Sequence, residues 1–148
     1  KLSVNGDSHL VGPSYANVKI KKGDEIELDM QLQPFFAWPH PMIDGTRQTV
    51  AVKRGPLVYC AEFTENSGLS VDRIRINPFV SPYEKDGEVF VSGWLAEFDE
   101  TAELYDDTAR TEKLGEQREF QLSPYFDWGE NGPGTMRVWM PVSSHGEV

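Results

Sequence analysis

The most apolar run of the chain covers residues 50–62, reading VAVKRGPLVYCAE, and Arg54-Gly55-Pro56 divides it into two strand-length halves. Apolar residues occupy both faces of these halves: Val50, Val52, Leu57, Tyr59 and Ala61 follow one alternation, and Val58 and Cys60 follow the other. A strand with one face in water alternates apolar and polar residues instead. The pattern therefore predicts strands covered on both faces, and it places the core here.

Shorter alternating segments elsewhere predict further strands. They cover residues 2–4, 18–21, 25–30, 71–76, 89–95, 120–122 and 136–140. Asn5-Gly6 predicts a tight hairpin turn, and Lys22-Gly23-Asp24 predicts a second hairpin between residues 18–21 and 25–30. With turn chemistry between the strands and few or no helices, the expected fold is an all-β, antiparallel β-sandwich of jelly-roll-like type.

The domain organisation follows from length and connections. A chain of 148 residues is long enough for one domain or for two small units. The polar, turn-rich segment 64–70 is the best candidate for a seam between two sandwich units, although it could equally turn a corner inside one. Because Lys1-Leu2-Ser3-Val4 is typical of the middle of a strand, we expect residues 1–148 to be a β-sandwich region of a larger enzyme.

Charge and cysteine content restrict the binding partners and metal sites that the chain can have. Lys plus Arg is 14 against 24 Asp plus Glu, and the net charge of -10 disfavours nucleic acid and anionic membranes. No apolar stretch approaches the roughly 20 residues of a membrane span, so the expected protein is soluble. The single cysteine, Cys60, cannot form an internal disulfide or supply a zinc cluster by itself. We expect neither a metal site nor a catalytic group in this chain.

Two aromatic groups are the candidate functional residues. Phe35, Phe36 and Trp38 lie in residues 34–41, reading PFFAWPHP, whose three prolines predict an edge strand or loop. Tyr125, Phe126 and Trp128 lie in a glycine-rich connection. Together they could form a sugar-binding platform or an interface, and aromatic enrichment at interfaces favours the second interpretation. We expect residues 34–41 to be exposed and to promote self-association.

One histidine stands beside these aromatics. His40 lies between two prolines and close to Trp38, so it could touch a ligand. It has no second metal ligand near it in the sequence, and a loop histidine of this kind more often has no function.

Three segments together resemble one enzyme family. They read KGDEIELDM over residues 22–30, VKRGPLVYC over residues 52–60, and PYFDW followed by GPGTMRVW over residues 124–139. In this order they are similar to the C-terminal part of the β-L-arabinofuranosidases of glycoside hydrolase family 127, formerly a family of unknown function. The segments 31–34 and 127–130 depart from the family pattern and leave the sugar open.

The resemblance implies that catalysis and structural support lie in different domains of the enzyme. In that family an (α/α)6 barrel carries a zinc-bound cysteine nucleophile and a glutamate acid/base, and β-sandwich regions follow it. No catalytic residue of the family maps onto this chain, so zinc is expected only in the absent barrel. The implied role is packing on that barrel and contributing to a homodimer; the alternative is a carbohydrate-binding module for an arabinose-containing glycan. The bacterial compartment stays open between cytoplasm, periplasm and secretion.

Overall fold

The computed structural model describes residues 1–9, 12, 15–30, 32–99, 101–103, 105, 107 and 112–143. Strands account for 45% of the described residues, and the helices found among them are 3-10 turns of three residues. The predicted all-β, antiparallel class is therefore confirmed. Within the described residues, no helix combines the length and the apolarity that crossing a membrane requires. The chain divides into two compact units, Lys1–Leu32 and Gln33–Val148.

The first unit is a three-stranded antiparallel sheet. Its strands are β1 (Leu2–Val4), β2 (Asp7–His9) and β3 (Ile26–Leu28), in the order β2-β1-β3. Asn5 and Gly6 join β1 to β2 with φ angles of 52° and 87°, both in the left-handed region that a two-residue hairpin turn requires. The Asn-Gly turn predicted from the sequence is confirmed.

The second hairpin predicted for this unit is wrong in its pairing. The turn at Gly23 forms, with φ 96°, but residues 18–21 are not a strand and β3 pairs with β1 instead. Asn5 accounts for the change: its backbone N–H donates to Glu25 O at 2.9 Å, and its Oδ1 accepts from Glu25 N at 2.9 Å. These bonds tie the start of β3 to the β1–β2 turn, which a local hairpin would not do.

The second unit is one ten-stranded antiparallel sheet. Its strands are β4 (Pro34–Ala37), β5 (Thr49–Arg54), β6 (Leu57–Thr64), β7 (Ile74–Ile76), β8 (Tyr83–Lys85), β9 (Glu88–Glu97), β10 (Lys113–Leu114), β11 (Arg118–Pro124), β12 (Gly134–Arg137) and β13 (Met140–Pro141). The main path is β10-β9-β11-β6-β5-β13, with β12 on β6, β4 on β5, and β7 and β8 on β9. The predicted edge position of residues 34–37 agrees with β4, which pairs with β5.

The sheet curls until its two ends meet. Ile76, at the end of β7, forms a bridge with Val142, just after β13. The Ser143 N–H donates to Ile76 O at 2.9 Å across the same junction. Residues 64–70 lie inside this unit, where Glu65–Ser67 is a 3-10 turn after β6, and the sheet continues on both sides of it.

The core lies inside the curl, against β5 and β6. Three consecutive residues of each strand are buried: Val50, Ala51 and Val52 in β5, and Tyr59, Cys60 and Ala61 in β6. The prediction that this run is covered on both faces is confirmed for these six residues, whereas Leu57, at the start of β6, is exposed. Buried side chains from other strands and from the 3-10 turn Val71–Arg73 complete the cluster: Val71, Ile74, Ile76, Val89, Val91, Phe120, Leu122 and Met140.

Gly93 marks the point where the packing between strands is tightest. It lies in β9 and pairs with Ile76 on one side and Arg118 on the other. A Cβ at this position would lie 2.2 Å from the Arg75 carbonyl oxygen, so only glycine fits. We predict that Gly93→Ala lowers the free energy of unfolding by about 2 kcal/mol or more, because the backbone must move.

Gly45 provides the matched control, measured alongside by urea denaturation. A Cβ there meets nothing within 4 Å, so Gly45→Ala should leave stability unchanged or raise it by up to about 1 kcal/mol. Equal urea midpoints for the two variants would contradict this account of β9.

Candidate functional site

The six aromatic residues singled out from the sequence lie in two separate segments of the second unit. Phe35, Phe36 and Trp38 belong to β4 and its C-terminal end, while Tyr125, Phe126 and Trp128 follow β11 in and after the 3-10 turn Tyr125–Asp127. Sequence reasoning grouped all six as one platform or interface. We therefore treat them as two sites with different geometry.

Strand alternation splits the β4 aromatics between the two faces of the sheet. Phe36 pairs with Val52 and packs against the core cluster, whereas Phe35 pairs with Lys53 and is exposed. The Trp38 ring stands edge-to-face on Phe36, with centroids 6.1 Å apart and an interplanar angle of 69°. This geometry is favourable for aromatic pairs, so Phe36 gives the Trp38 ring a fixed support.

A cleft of about 470 Å³ lies beside Trp38. It is lined by Trp38, Pro39, His40, Pro41, Arg47, Gln48, Thr49 and Val142. The His40 Nδ1 accepts the Met42 backbone N–H at 3.2 Å, and Arg47 Nη2 lies 2.8 Å from Asp44 Oδ1. The cleft thus combines an aromatic wall with several hydrogen-bonding side chains.

The second aromatic group is anchored by one carboxylate. Glu62, half-buried in β6, accepts the Gly129 backbone N–H at 2.8 Å through Oε1 and the Ser123 hydroxyl at 3.0 Å through Oε2. Gly129 has φ 88°, where glycine is favoured, and Gly132 N–H donates to Gly129 O at 3.3 Å. The turn is thereby fixed, although its side chains remain exposed.

The exposure of this turn is large for aromatic residues. Phe126 exposes 68% of its surface, Tyr125 48% and Trp128 44%. A groove of about 400 Å³ with both polar and apolar lining residues includes Glu62, Ser123 and Asn131 but none of these three aromatics. The turn is therefore an outward-facing apolar surface held in one conformation, which is typical of a protein contact surface.

Cys60 has the chemistry of a packed thiol. It is fully buried, and its Sγ–H donates to the Ser123 carbonyl oxygen at 3.5 Å. Burial raises the pKa of the Cys60 thiol to about 11, with a smaller contribution from the Glu62 carboxylate. A cysteine reacts as its thiolate, which burial disfavours at this position. Among the described residues, no cluster of three or more His, Cys, Asp or Glu could hold a metal ion.

Two features of these sites escaped the sequence analysis. Glu62 was visible only as an acidic residue at the end of an apolar run, and nothing local indicated that it holds Gly129, 67 positions away. Gln48 adopts φ 56°, in the left-handed region, although it is not a glycine. The sequence carries no signal for that conformation.

Comparison with known families identifies the chain. The model described as the glycoside hydrolase family 127 C-terminal domain matches residues 36–141. The chain belongs to this family. The resemblance inferred from the three sequence segments is therefore confirmed, and the described strands β4 to β13 are those of a family 127 C-terminal domain.

The relatives of this family 127 domain are whole enzymes. The non-reducing end β-L-arabinofuranosidase of Bifidobacterium longum is 28% identical, over 93% of this chain and 23% of its own length. A solved glycoside hydrolase is 30% identical with a TM-score of 0.74, over 96% of this chain and 25% of its own. A β-L-arabinofuranosidase from Geobacillus stearothermophilus T6, 24% identical with a TM-score of 0.71, shares the fold. The chain thus spans about a quarter of the length of these relatives.

The Glu62 anchor generates the first prediction for this site. In Glu62→Gln, the amide offers one carbonyl oxygen and turns an NH₂ group towards the other donor, so one of the two bonds is lost. We expect a loss of about 1 kcal/mol in stability and faster amide hydrogen exchange at Gly129. Glu130→Gln, exposed on the same connection, is the control and should change neither. Unchanged exchange at Gly129 in Glu62→Gln would refute the anchor.

Cys60 generates the second prediction. Raising its pKa from 9.0 to about 11 reduces the thiolate fraction at pH 8 by about 100-fold. Iodoacetamide should therefore alkylate the native protein at least about 100-fold more slowly than the urea-unfolded chain. The pKa of Cys60 is higher in the folded than in the unfolded chain. The stability that comes from keeping the thiol protonated is therefore complete below pH 9 and is lost as the pH rises towards 11. Comparable alkylation rates for native and unfolded protein at pH 8 would show that the thiol is not buried.

Proposed function

We propose that this chain is a noncatalytic β-sandwich domain that packs on the catalytic (α/α)6 barrel of a bacterial β-L-arabinofuranosidase-like hydrolase and stabilises it. The observation that carries the proposal is the Tyr125–Asp127 turn with Trp128, which Glu62 holds in one conformation while its aromatic rings stay exposed. An apolar surface that is both exposed and fixed loses little conformational entropy when a partner covers it.

Family membership supports the same role. The relatives are about four times as long as this chain, and the match falls in what the family model describes as a C-terminal domain. In this proposal the hydrolytic chemistry and its zinc belong to the barrel, and the sandwich supplies an apolar contact surface. A contribution to a homodimer, through the exposed segment that includes Phe35, remains a prediction that sedimentation of the full-length enzyme tests.

Paired substitutions in the full-length hydrolase test the packing role. The double variant Phe126→Ser with Trp128→Ser should lower the stability of the enzyme by about 2 kcal/mol or more, because truncated interface aromatics leave an unfilled contact. Phe79→Ser is the matched control, since Phe79 exposes 67% of its surface and Phe126 exposes 68%. The measurement is thermal unfolding of the enzyme together with limited proteolysis at the junction of the two domains.

The same variants in the isolated 148-residue chain separate interface from fold. There Phe126 and Phe79 face water, so the single variants Phe126→Ser and Phe79→Ser should each change stability by no more than about 0.5 kcal/mol. Two results would contradict the proposal: a full-length double variant as stable as the Phe79 control, or hydrolysis of an aryl β-L-arabinofuranoside by the isolated chain above a heat-treated sample.

A further inference from the structure

We propose that the cleft beside Trp38 is a binding site for one uncharged saccharide unit, distinct from the packing surface at the Tyr125–Asp127 turn. The cleft, about 470 Å³, is bounded by the segment after β4 and by the residues that precede β5 and follow β13. Sites for small ligands are concave, mostly apolar and carry a few placed polar groups. This cleft has that composition.

Trp38 supplies the apolar wall. It lines the cleft with 56% of its surface exposed, while its ring is supported edge-to-face by the half-buried Phe36. An exposed indole that is already positioned loses little side-chain entropy when a ligand covers it. The flat C–H face of a furanose or pyranose ring fits such a surface. Pro39 and Pro41 limit the backbone freedom of the same wall.

The polar side chains of the cleft favour a ligand without charge. Arg47 is the one fully charged residue among those lining the cleft, and its Nη2 lies 2.8 Å from Asp44 Oδ1 in an exposed ion pair. The Nδ1 of His40 accepts the Met42 N–H, so Nε2 is the ring nitrogen that is left for a ligand. An anionic ligand would have to compete with Asp44 for Arg47. A hydroxyl-bearing ligand would use these donors and acceptors as they stand.

Gln48 provides an independent argument. It holds φ 56°, a conformation that disfavours every side chain, and its carbonyl accepts the Val142 N–H at 3.0 Å. Glycine would adopt this conformation without strain. A strained residue with a polar side chain on the lining of a cleft is typical of a functional site, and an amide is a suitable partner for sugar hydroxyls.

Ligand-observed NMR on the 148-residue chain tests the proposal, with methyl β-L-arabinofuranoside as the probe and glucuronate as the anionic comparison. We expect saturable binding of the arabinoside with a Kd of about 1 to 10 mM, and at least tenfold weaker binding of glucuronate. Trp38→Ala should weaken binding of the arabinoside at least tenfold. Trp128→Ala, on the packing surface, should leave it unchanged.

Gln48→Gly distinguishes a binding role from a structural one. Glycine relieves the backbone conformation, so the urea midpoint should stay the same or rise, while affinity for the arabinoside falls at least threefold. No saturable binding up to about 50 mM, five times the weakest expected Kd of about 10 mM, would overturn the proposal. Two other results would also overturn it. One is binding that persists in both Trp38→Ala and Gln48→Gly. The other is binding by the isolated chain that the full-length hydrolase lacks because its barrel covers the cleft. None of these results bears on packing at Phe126.

Discussion

The second unit depends on one constraint, the pairing of β6 with three other strands while both of its faces are covered. Tyr59 pairs with Val52 of β5 and with Pro124 of β11, and from Ala61 onwards the partner is β12. Beyond Val52 and Tyr59, β5 and β6 pair with β13 and β12 instead of with each other. The segment β12–β13 thus lies between β5 and β6, which are the two halves of the most apolar run. The sheet curls around the side chains of these two strands.

The outward-facing aromatic surface at residues 125–128 depends on a residue of β6 at the edge of the core. Glu62 lies just beyond the buried residues, and its two oxygens hold Ser123 and Gly129, so the aromatic turn is fastened to the sheet by hydrogen bonds. The same carboxylate contributes to keeping the Cys60 thiol protonated by raising its pKa. A residue at the boundary between core and solvent therefore positions a surface that the core alone would leave undefined.

The structure gives different surroundings to two aromatic groups that the sequence could not separate. Period-two alternation sends Phe36 inwards and Phe35 outwards, and Trp38 stands on Phe36 at the mouth of a cleft. Tyr125, Phe126 and Trp128 form an exposed, fixed surface that suits a protein partner. An exposed aromatic surface favours packing against another domain, whereas an apolar cleft with a few polar groups favours a small ligand.

The sequence by itself determined the all-β class, the double-faced burial around Val52 and Tyr59, the Asn5-Gly6 turn and the family, because alternation, turn chemistry and contiguous motifs are local properties. The tertiary structure decided the rest. It paired β3 with β1 where local alternation predicted a hairpin, it linked Glu62 to Gly129, and it placed Gln48 in a left-handed conformation. These outcomes depend on partners distant in the sequence, which compete with the local preference and leave no local pattern of their own.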